Sequence, residues 1–316
     1  METAIGIDLG ATHVRVAVGV KDGRILAKNV KKTVQEGDEY AVSRQIINMV
    51  KELPREYVKE AVGVVIGTIG PIDPRTGSIS PANLPFKRVY LTNPISSELK
   101  LPVKMYNDCV AAVIGEKFFG EGRGVENLVY VTISSGIGGG IFVNNKLLLG
   151  KDGNAHEIGH MTIDFEGRLM CGCGKKGHWE AYCSGKNIPN FVRWMAKNFD
   201  QNILEKSKIY NRLQNLEGKE IFDAAKTGDT FSLKVVEEIG RLNAIGFANL
   251  TNLYDPELII IGGAVALNNR EQVLKPILEH VEEYTINRVP EIKFTKLGDE
   301  VGLYGAIAAA FYLKEE

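Results

Sequence analysis

The stretch from Gly153 to Glu180, GNAHEIGHMTIDFEGRLMCGCGKKGHWE, gathers the side chains of this chain best equipped for chemistry. His160, Cys171, Cys173 and His178 fall within 19 residues, interleaved with Gly172, Gly174 and Gly177, which let the backbone fold around an ion. Two sulfur and two nitrogen donors so closely spaced match a tetrahedral structural zinc site. Glu157, His160 and Glu180 lie in or beside the same knot, so closing it would also fix polar side chains able to grip a small polyhydroxylated ligand. Cys171 and Cys173 could instead form a disulfide or be inert thiols. Cys-x-Cys pairs bridge poorly, however, and four cysteines in 316 residues are not a secreted disulfide framework. His156-Glu157-Ile158-Gly159-His160 also matches the H-E-x-x-H pattern of zinc proteases, in which two ligands stand one helical turn apart. That pattern needs a regular helix, and Gly153 and Gly159 flank and interrupt this one.

A second chemistry is written twice. Ala4 to Gly10 reads as a strand ending in an acid and a glycine, and Val14 to Val20 alternates as the next strand. Between them Asp8-Leu9-Gly10-Ala11-Thr12 offers a carboxylate, an approachable backbone and a hydroxyl, the parts needed to hold a metal-bound triphosphate. Ordinary turn chemistry would use the same residues. Leu128 to Ser134 is again a strand, Ser135 to Gly140 a glycine-rich turn, and Ile141 to Val143 resumes the strand. Placing Asp8 on Thr132 aligns both hairpins, which points to two similar half-structures, each offering backbone N–H groups to phosphate.

The positioning elements follow from periodicity. Val42, Ile46, Met49, Val50 and Leu53 mark a helix over Glu39 to Leu53, and the continuous apolar run Ala61 to Ile66 a strand buried on both faces. That strand leads into Gly67-Thr68-Ile69-Gly70-Pro71-Ile72-Asp73; Ser80 to Pro85 is irregular, with Asn83 as its polar handle. Strand Val103 to Tyr106 ends in Asn107-Asp108 at the start of a helix. Asp108 is either an N-cap or a base presented at the carboxyl end of a strand in an open α/β sheet. Beyond the knot, helices are expected over Lys186 to Phe199, Lys219 to Lys226, Thr230 to Tyr254, Glu271 to Tyr284 and Gly302 to Leu313. Strands are expected over Glu257 to Ile261 and Glu291 to Lys296, and Gly262-Gly263 would let a nucleotide lie against backbone.

A length of 316 residues suits two domains better than one core, and 44% hydrophobic with 24% charged residues is an ordinary globular composition. A net charge of −1 gives no electrostatic footprint for nucleic acid or an anionic membrane. Met1 leads directly into a strand-like run without the features of a signal peptide, and no apolar stretch would span a bilayer, so a cytoplasmic location is expected.

As a set, Asp8-Leu9-Gly10-Ala11-Thr12, Gly70-Pro71-Ile72-Asp73, Asn83, Asn107-Asp108, Ser135-Gly136-Ile137-Gly138-Gly139, Glu157-Ile158-Gly159-His160, Cys171-Gly172-Cys173-Gly174 and Asp255-Pro256-Glu257 to Gly263 resemble the ROK family. That family covers sugar kinases and related repressors of the actin-like ATPase superfamily, and the likeness spans nearly the whole chain. It implies an α/β fold of two actin-like (ribonuclease H-like) domains with a cleft between them and a C-terminal helix returning to the N-terminal domain. The smaller domain would comprise residues 1–115 and 301–316, and the larger one residues 116–300 with the zinc loop. The resemblance implies Asp108 as the general base that takes a proton from a hexose 6-hydroxyl as it attacks the γ-phosphate of ATP. It implies Asn83, Asn107, Glu157, His160 and Glu180 as sugar ligands, with Gly70 lining the pocket. Asp8, Gly10, Thr12, Ser135, Gly136 and Gly138 would handle phosphates and Mg2+, and Gly262 and Gly263 would sit by the adenosine. His160, Cys171, Cys173 and His178 would hold structural Zn2+, with His160 also facing the sugar. A homodimer or homotetramer is expected.

Three positions depart from the family pattern: His178 stands where a third cysteine is usual, Ser134 where glycine is usual, and His156 where glycine or alanine is usual. Glucose is the expected substrate, an N-acetylmannosamine or N-acetylglucosamine kinase the alternative. A sugar-responsive repressor of the same family is disfavoured because only a few residues precede Ile5, too few for a helix-turn-helix segment.

Overall fold

The computed structural model describes residues 1–313. Its contacts divide into two compact units, Met1–Val125 with the chain from Thr295 onward, and Glu126–Phe294. Among the described residues no helix is long and apolar enough to cross a membrane.

In the first unit β1 (Thr3–Leu9), β2 (His13–Val20) and β3 (Ile25–Lys32) form an antiparallel meander, and β4 (Ala61–Thr68) lies parallel to β1. Buried side chains run along nearly all of β4, as a strand covered on both faces requires. Three short strands, β5 (Ile72–Asp73), β6 (Ser78–Ile79) and β7 (Val89–Tyr90), pair among themselves, and β8 (Val103–Asn107) completes the main sheet beside β4. The order is β3-β2-β1-β4-β8. The small sheet and the helix Thr92–Leu99 were not legible, since strands of two residues have no period to read. Helix Val301–Tyr312 packs Leu303, Ile307 and Phe311 against Ala4 of β1 and Ala17 of β2. It also crosses helix Asp108–Phe119 so closely that a Cβ on Gly305 would meet Ala111 O at 1.6 Å.

The seams between the units fall at Val125/Glu126 and Phe294/Thr295. Helix Asp108–Phe119 is unbroken, and its buried Glu116 carboxylate accepts from Thr295 Oγ1 and, at 3.0 Å, from Glu121 N–H, which ties both flanking segments to the first unit.

The second unit repeats the plan. Strands β9 (Leu128–Ile133), β10 (Ile137–Val143) and β11 (Lys146–Leu147) form an antiparallel meander, with β12 (Leu258–Gly262) parallel to β9 and β13 (Glu291–Phe294) parallel to β12. The order, β11-β10-β9-β12-β13, matches the first sheet position for position. The glycine-rich turn is shorter than expected: Gly138, Gly139 and Gly140 are strand residues opposite Thr132, Val131 and Tyr130. Cross-strand hydrogen bonding, available without a side chain, overrides the glycines' turn preference there. Helix Thr230–Tyr254 runs through the core of this unit, capped by the Asp229 side chain on Ser232 N and stopped at Asp255 in the left-handed region before Pro256.

Candidate active site

The aligned hairpins occupy equivalent registers. Asp8 on β1 lies opposite Arg15 on β2 and Gly67 on β4; Thr132 on β9 lies opposite Gly138 on β10 and Gly262 on β12. The strand ends that could hold phosphate are therefore built twice, with different residues.

In the first unit Arg15 Nη1 donates to Asp8 Oδ2 at 2.8 Å. Burial pushes the Asp8 carboxyl above its ordinary value, and the guanidinium opposes that shift. A Cβ on Gly302, in the first turn of helix Val301–Tyr312, would meet Asp8 Oδ1 at 3.4 Å, so this acid faces a helix N-terminus. The turn after Asp8 is held from behind: Thr33 Oγ1 donates to Gly10 O at 2.7 Å, and Gln35 Nε2 to Ala11 O at 3.1 Å. Thr12 is left exposed on that turn.

Asn107 ends β8 and caps helix Asp108–Phe119, its Oδ1 accepting from Cys109 N at 2.8 Å. Capping thus has its own residue and does not by itself account for an acid at 108. Asp108 sits half-buried in the first helical turn, with Oδ1 also 2.8 Å from Cys109 N. Gly70 adjoins this point: its Cβ would lie 3.8 Å from Asn107 Nδ2. Asn83 is exposed on a turn anchored by the buried neighbours Leu84 and Phe86.

In the second unit the Cys/His knot closes as its spacing implies. The ligand atoms of His160, Cys171, Cys173 and His178 all lie within 4.8 Å of one another. His160 Nδ1 is 3.3 Å from His178 Nδ1 and 3.7 Å from Cys171 Sγ, and Cys173 Sγ is 3.3 Å from His178 Nδ1. The edges of a zinc tetrahedron with N and S donors are about 3.3–3.8 Å, which these three separations match, so the cluster is compatible with such an ion. Burial pushes the Cys171 thiol up to about 12, a state that a divalent cation would reverse by binding the thiolate. The four cysteines are free thiols, which removes the disulfide reading. His156 to His160 includes only a 3-10 turn, Ile158–His160, and His156 is buried, so the regular helix a zinc protease requires is absent. His160 uses its two nitrogens differently, since Nε2 faces Glu157 Oε2 at 3.4 Å while Nδ1 faces the knot.

Glu180 opens the short helix Glu180–Cys183, and its Oε2 accepts from Ile137 N at 2.9 Å. The turn Ser134–Gly136 is also gripped by Gly185 N on Ser134 O at 2.7 Å and Lys186 N on Ser135 O at 3.3 Å. Gly263, with φ +89°, packs where a Cβ would meet Ile133 O at 2.5 Å, and a Cβ on Gly262 would strike Tyr130 Oη at 1.9 Å. Gly185 and Gly218 adjoin the same surface, a Cβ on Gly218 meeting Gly185 O at 2.8 Å. This close approach is not legible in the sequence. The single available signal was glycine itself.

The ROK family model matches residues 4–312. Among curated relatives, a glucokinase of Aeropyrum pernix is 36% identical over 326 residues, covering 100% of this chain and 99% of that protein. Among solved structures, a ROK hexokinase from Thermus thermophilus superposes with a TM-score of 0.84 at 32% identity, covering 98% of both chains. A ROK family glucokinase from Streptomyces griseus, solved with glucose and AMPPNP, gives a TM-score of 0.72 at 30% identity over 96% of this chain and 98% of that one. The duplicated five-stranded sheets have the actin-like ATPase fold of these proteins. The chain belongs to the ROK family.

Proposed function

We propose that this protein is an ATP-dependent sugar kinase that phosphorylates a hexose, glucose first, at its 6-hydroxyl. The observation that carries this reading is the duplicated hairpin register, Asp8 opposite Gly67 and Thr132 opposite Gly262, in a chain whose relatives are named glucokinase and hexokinase. Phosphoryl transfer demands positioning and charge neutralisation more than covalent chemistry, and two approachable strand ends suit that demand.

On the family pattern Asp108 accepts the proton of the attacking 6-hydroxyl. Asn83, Asn107, Glu157, His160 and Glu180 would bond the remaining hydroxyls, with Gly70 leaving room beside Asn107. Carboxylate, amide and imidazole groups supply the paired donors and acceptors a sugar ring needs. An analogue missing one hydroxyl leaves a buried partner unpaired, which is the source of discrimination. Asp8, Gly10 and Thr12 would receive phosphates and Mg2+, which supplies neutralisation of phosphate charge when bound. Ser135 and Gly136 would face phosphate oxygens through backbone N–H groups. Gly138, a strand residue opposite Thr132, keeps the space beside them open. Gly262 and Gly263 would flank the nucleoside. Zn2+, held by His160, Cys171, Cys173 and His178, would order the loop that aims His160 Nε2 and Glu157.

The test is a coupled assay of ADP release over glucose, mannose, fructose, glucosamine and the two N-acetylhexosamines. Glucose is expected to give the highest kcat/KM; release of ADP with none of them would overturn the reading.

A further inference from the structure

Glu180 stands where two machines meet. It follows the knot residue His178 by two positions, and the intervening Trp179 is fully buried, donating Nε1 to Asn243 Oδ1 at 2.8 Å and packing over Gly246 of helix Thr230–Tyr254. The backbone at Glu180 is therefore fixed from both sides. Its Oε1 lies 3.7 Å from Cys171 Sγ of the knot, and its Oε2 takes the Ile137 N–H at 2.9 Å. A Cβ on Gly136 would meet Oε2 at 2.6 Å, so glycine there is what lets the carboxylate reach the turn. Past the same short helix, Gly185 and Lys186 donate to Ser134 O and Ser135 O, so that with the Ile137 bond the turn and the strand residue after it have three anchors from residues 180–186. The Ser135 and Gly136 N–H groups make no hydrogen bond among the described residues, so the anchors hold the turn while leaving these two donors unused.

We propose that Glu180 is a positioning residue for the Ser134–Gly136 turn, so that the Cys/His knot and the strand end that receives nucleotide phosphates form one mechanical piece. The proposal rests on the kinase reading for the class of ligand, the phosphates of a nucleoside triphosphate. It gives Glu180 a role that is present without sugar, through a backbone bond 43 residues away in sequence. A charged acceptor on a partly buried amide contributes enough that its removal should change phosphate affinity roughly tenfold.

The experiment compares the wild-type protein with Glu180→Ala and Glu180→Gln, without sugar, by calorimetric titration with AMPPNP and by hydrogen exchange of the amides of residues 134–138. Near-ultraviolet circular dichroism of the buried Trp179 checks the fold. Glu180→Ala is expected to weaken AMPPNP roughly tenfold and to speed exchange at Ile137 by a similar factor. Glu180→Gln keeps an acceptor oxygen and is expected to stay within about threefold of wild type in both. Unchanged exchange at Ile137 in a folded Glu180→Ala protein overturns the proposal, as does a loss that Glu180→Gln fails to restore. A wild-type protein that binds no AMPPNP overturns the kinase reading instead, and Ile137 exchange still decides whether Glu180 orders the turn.

Discussion

The two five-stranded sheets share strand order and direction, yet their equivalent strand ends carry opposite chemistry. The first ends in a carboxylate, Asp8, balanced by Arg15 at 2.8 Å. The second ends in Thr132 and a run of serines and glycines whose assets are backbone N–H groups and lack of bulk. On the proposed function a duplicated scaffold divides labour: one copy would supply charge for a cation, the other an approachable surface for a nucleoside and its phosphates. The insertions differ as well. Between β3 and β4 the main element is helix Ala41–Lys51, while between β11 and β12 the chain builds the Cys/His knot and the long helix Thr230–Tyr254.

The largest effect that would break this comparison belongs to Asp108, which heads the helix after β8. Asp108→Asn is expected to lower kcat about 10²-fold or more, with glucose affinity by calorimetry nearly unchanged, as loss of a general base does. Next come the equivalent positions themselves. Asp8→Asn should lower kcat/KM for Mg·ATP roughly tenfold or more, whereas Thr132→Ser should change it less than threefold; equal losses would show that the copies do not divide the labour. Gly263→Ala sharpens the contrast further. The first sheet carries Thr68 at the matching place, but Gly263 has φ +89° and no room for a Cβ. The variant should lose about 1–3 kcal/mol of stability by denaturant unfolding.

The smallest effect concerns the knot's support, which has no counterpart in the first unit. Burial pushes the Asp164 carboxyl up, but hydrogen bonds from Arg168 and Tyr182 outweigh that and hold it below the ordinary 3.8. A depressed carboxylate stabilises the fold above its unfolded pKa, and that stability is lost as pH falls through the lower folded value. Asp164→Asn should therefore lower Tm by roughly 2–4 °C at pH 7 and flatten the loss of Tm below about pH 4.

Local signals were legible in proportion to their locality. The match of Asp8 to Thr132 could be read because each hairpin is contiguous, and the register confirms it through Gly67 and Gly262. Helix Thr230–Tyr254 was readable to its ends, with Gly228 as the boundary signal before it; the Asp229 cap is what the structure adds. The knot's four ligands were readable because 19 residues contain them. What sequence could not show was contact across distance. Glu180 reaches Ile137 N–H, Gly305 lets helix Val301–Tyr312 approach Ala111, and Gly218 meets Gly185, and none of these pairings leaves a periodic trace. Gly138 was misplaced in a turn because glycine's turn preference yields to a strand partner that only the fold supplies.

The most direct test of the proposed chemistry is a crystal structure of the protein with glucose and AMPPNP. The expected result is an Asp108 carboxylate oxygen within about 2.6–3.2 Å of the glucose 6-hydroxyl. An Asp108 remote from every primary hydroxyl of the bound sugar would contradict it.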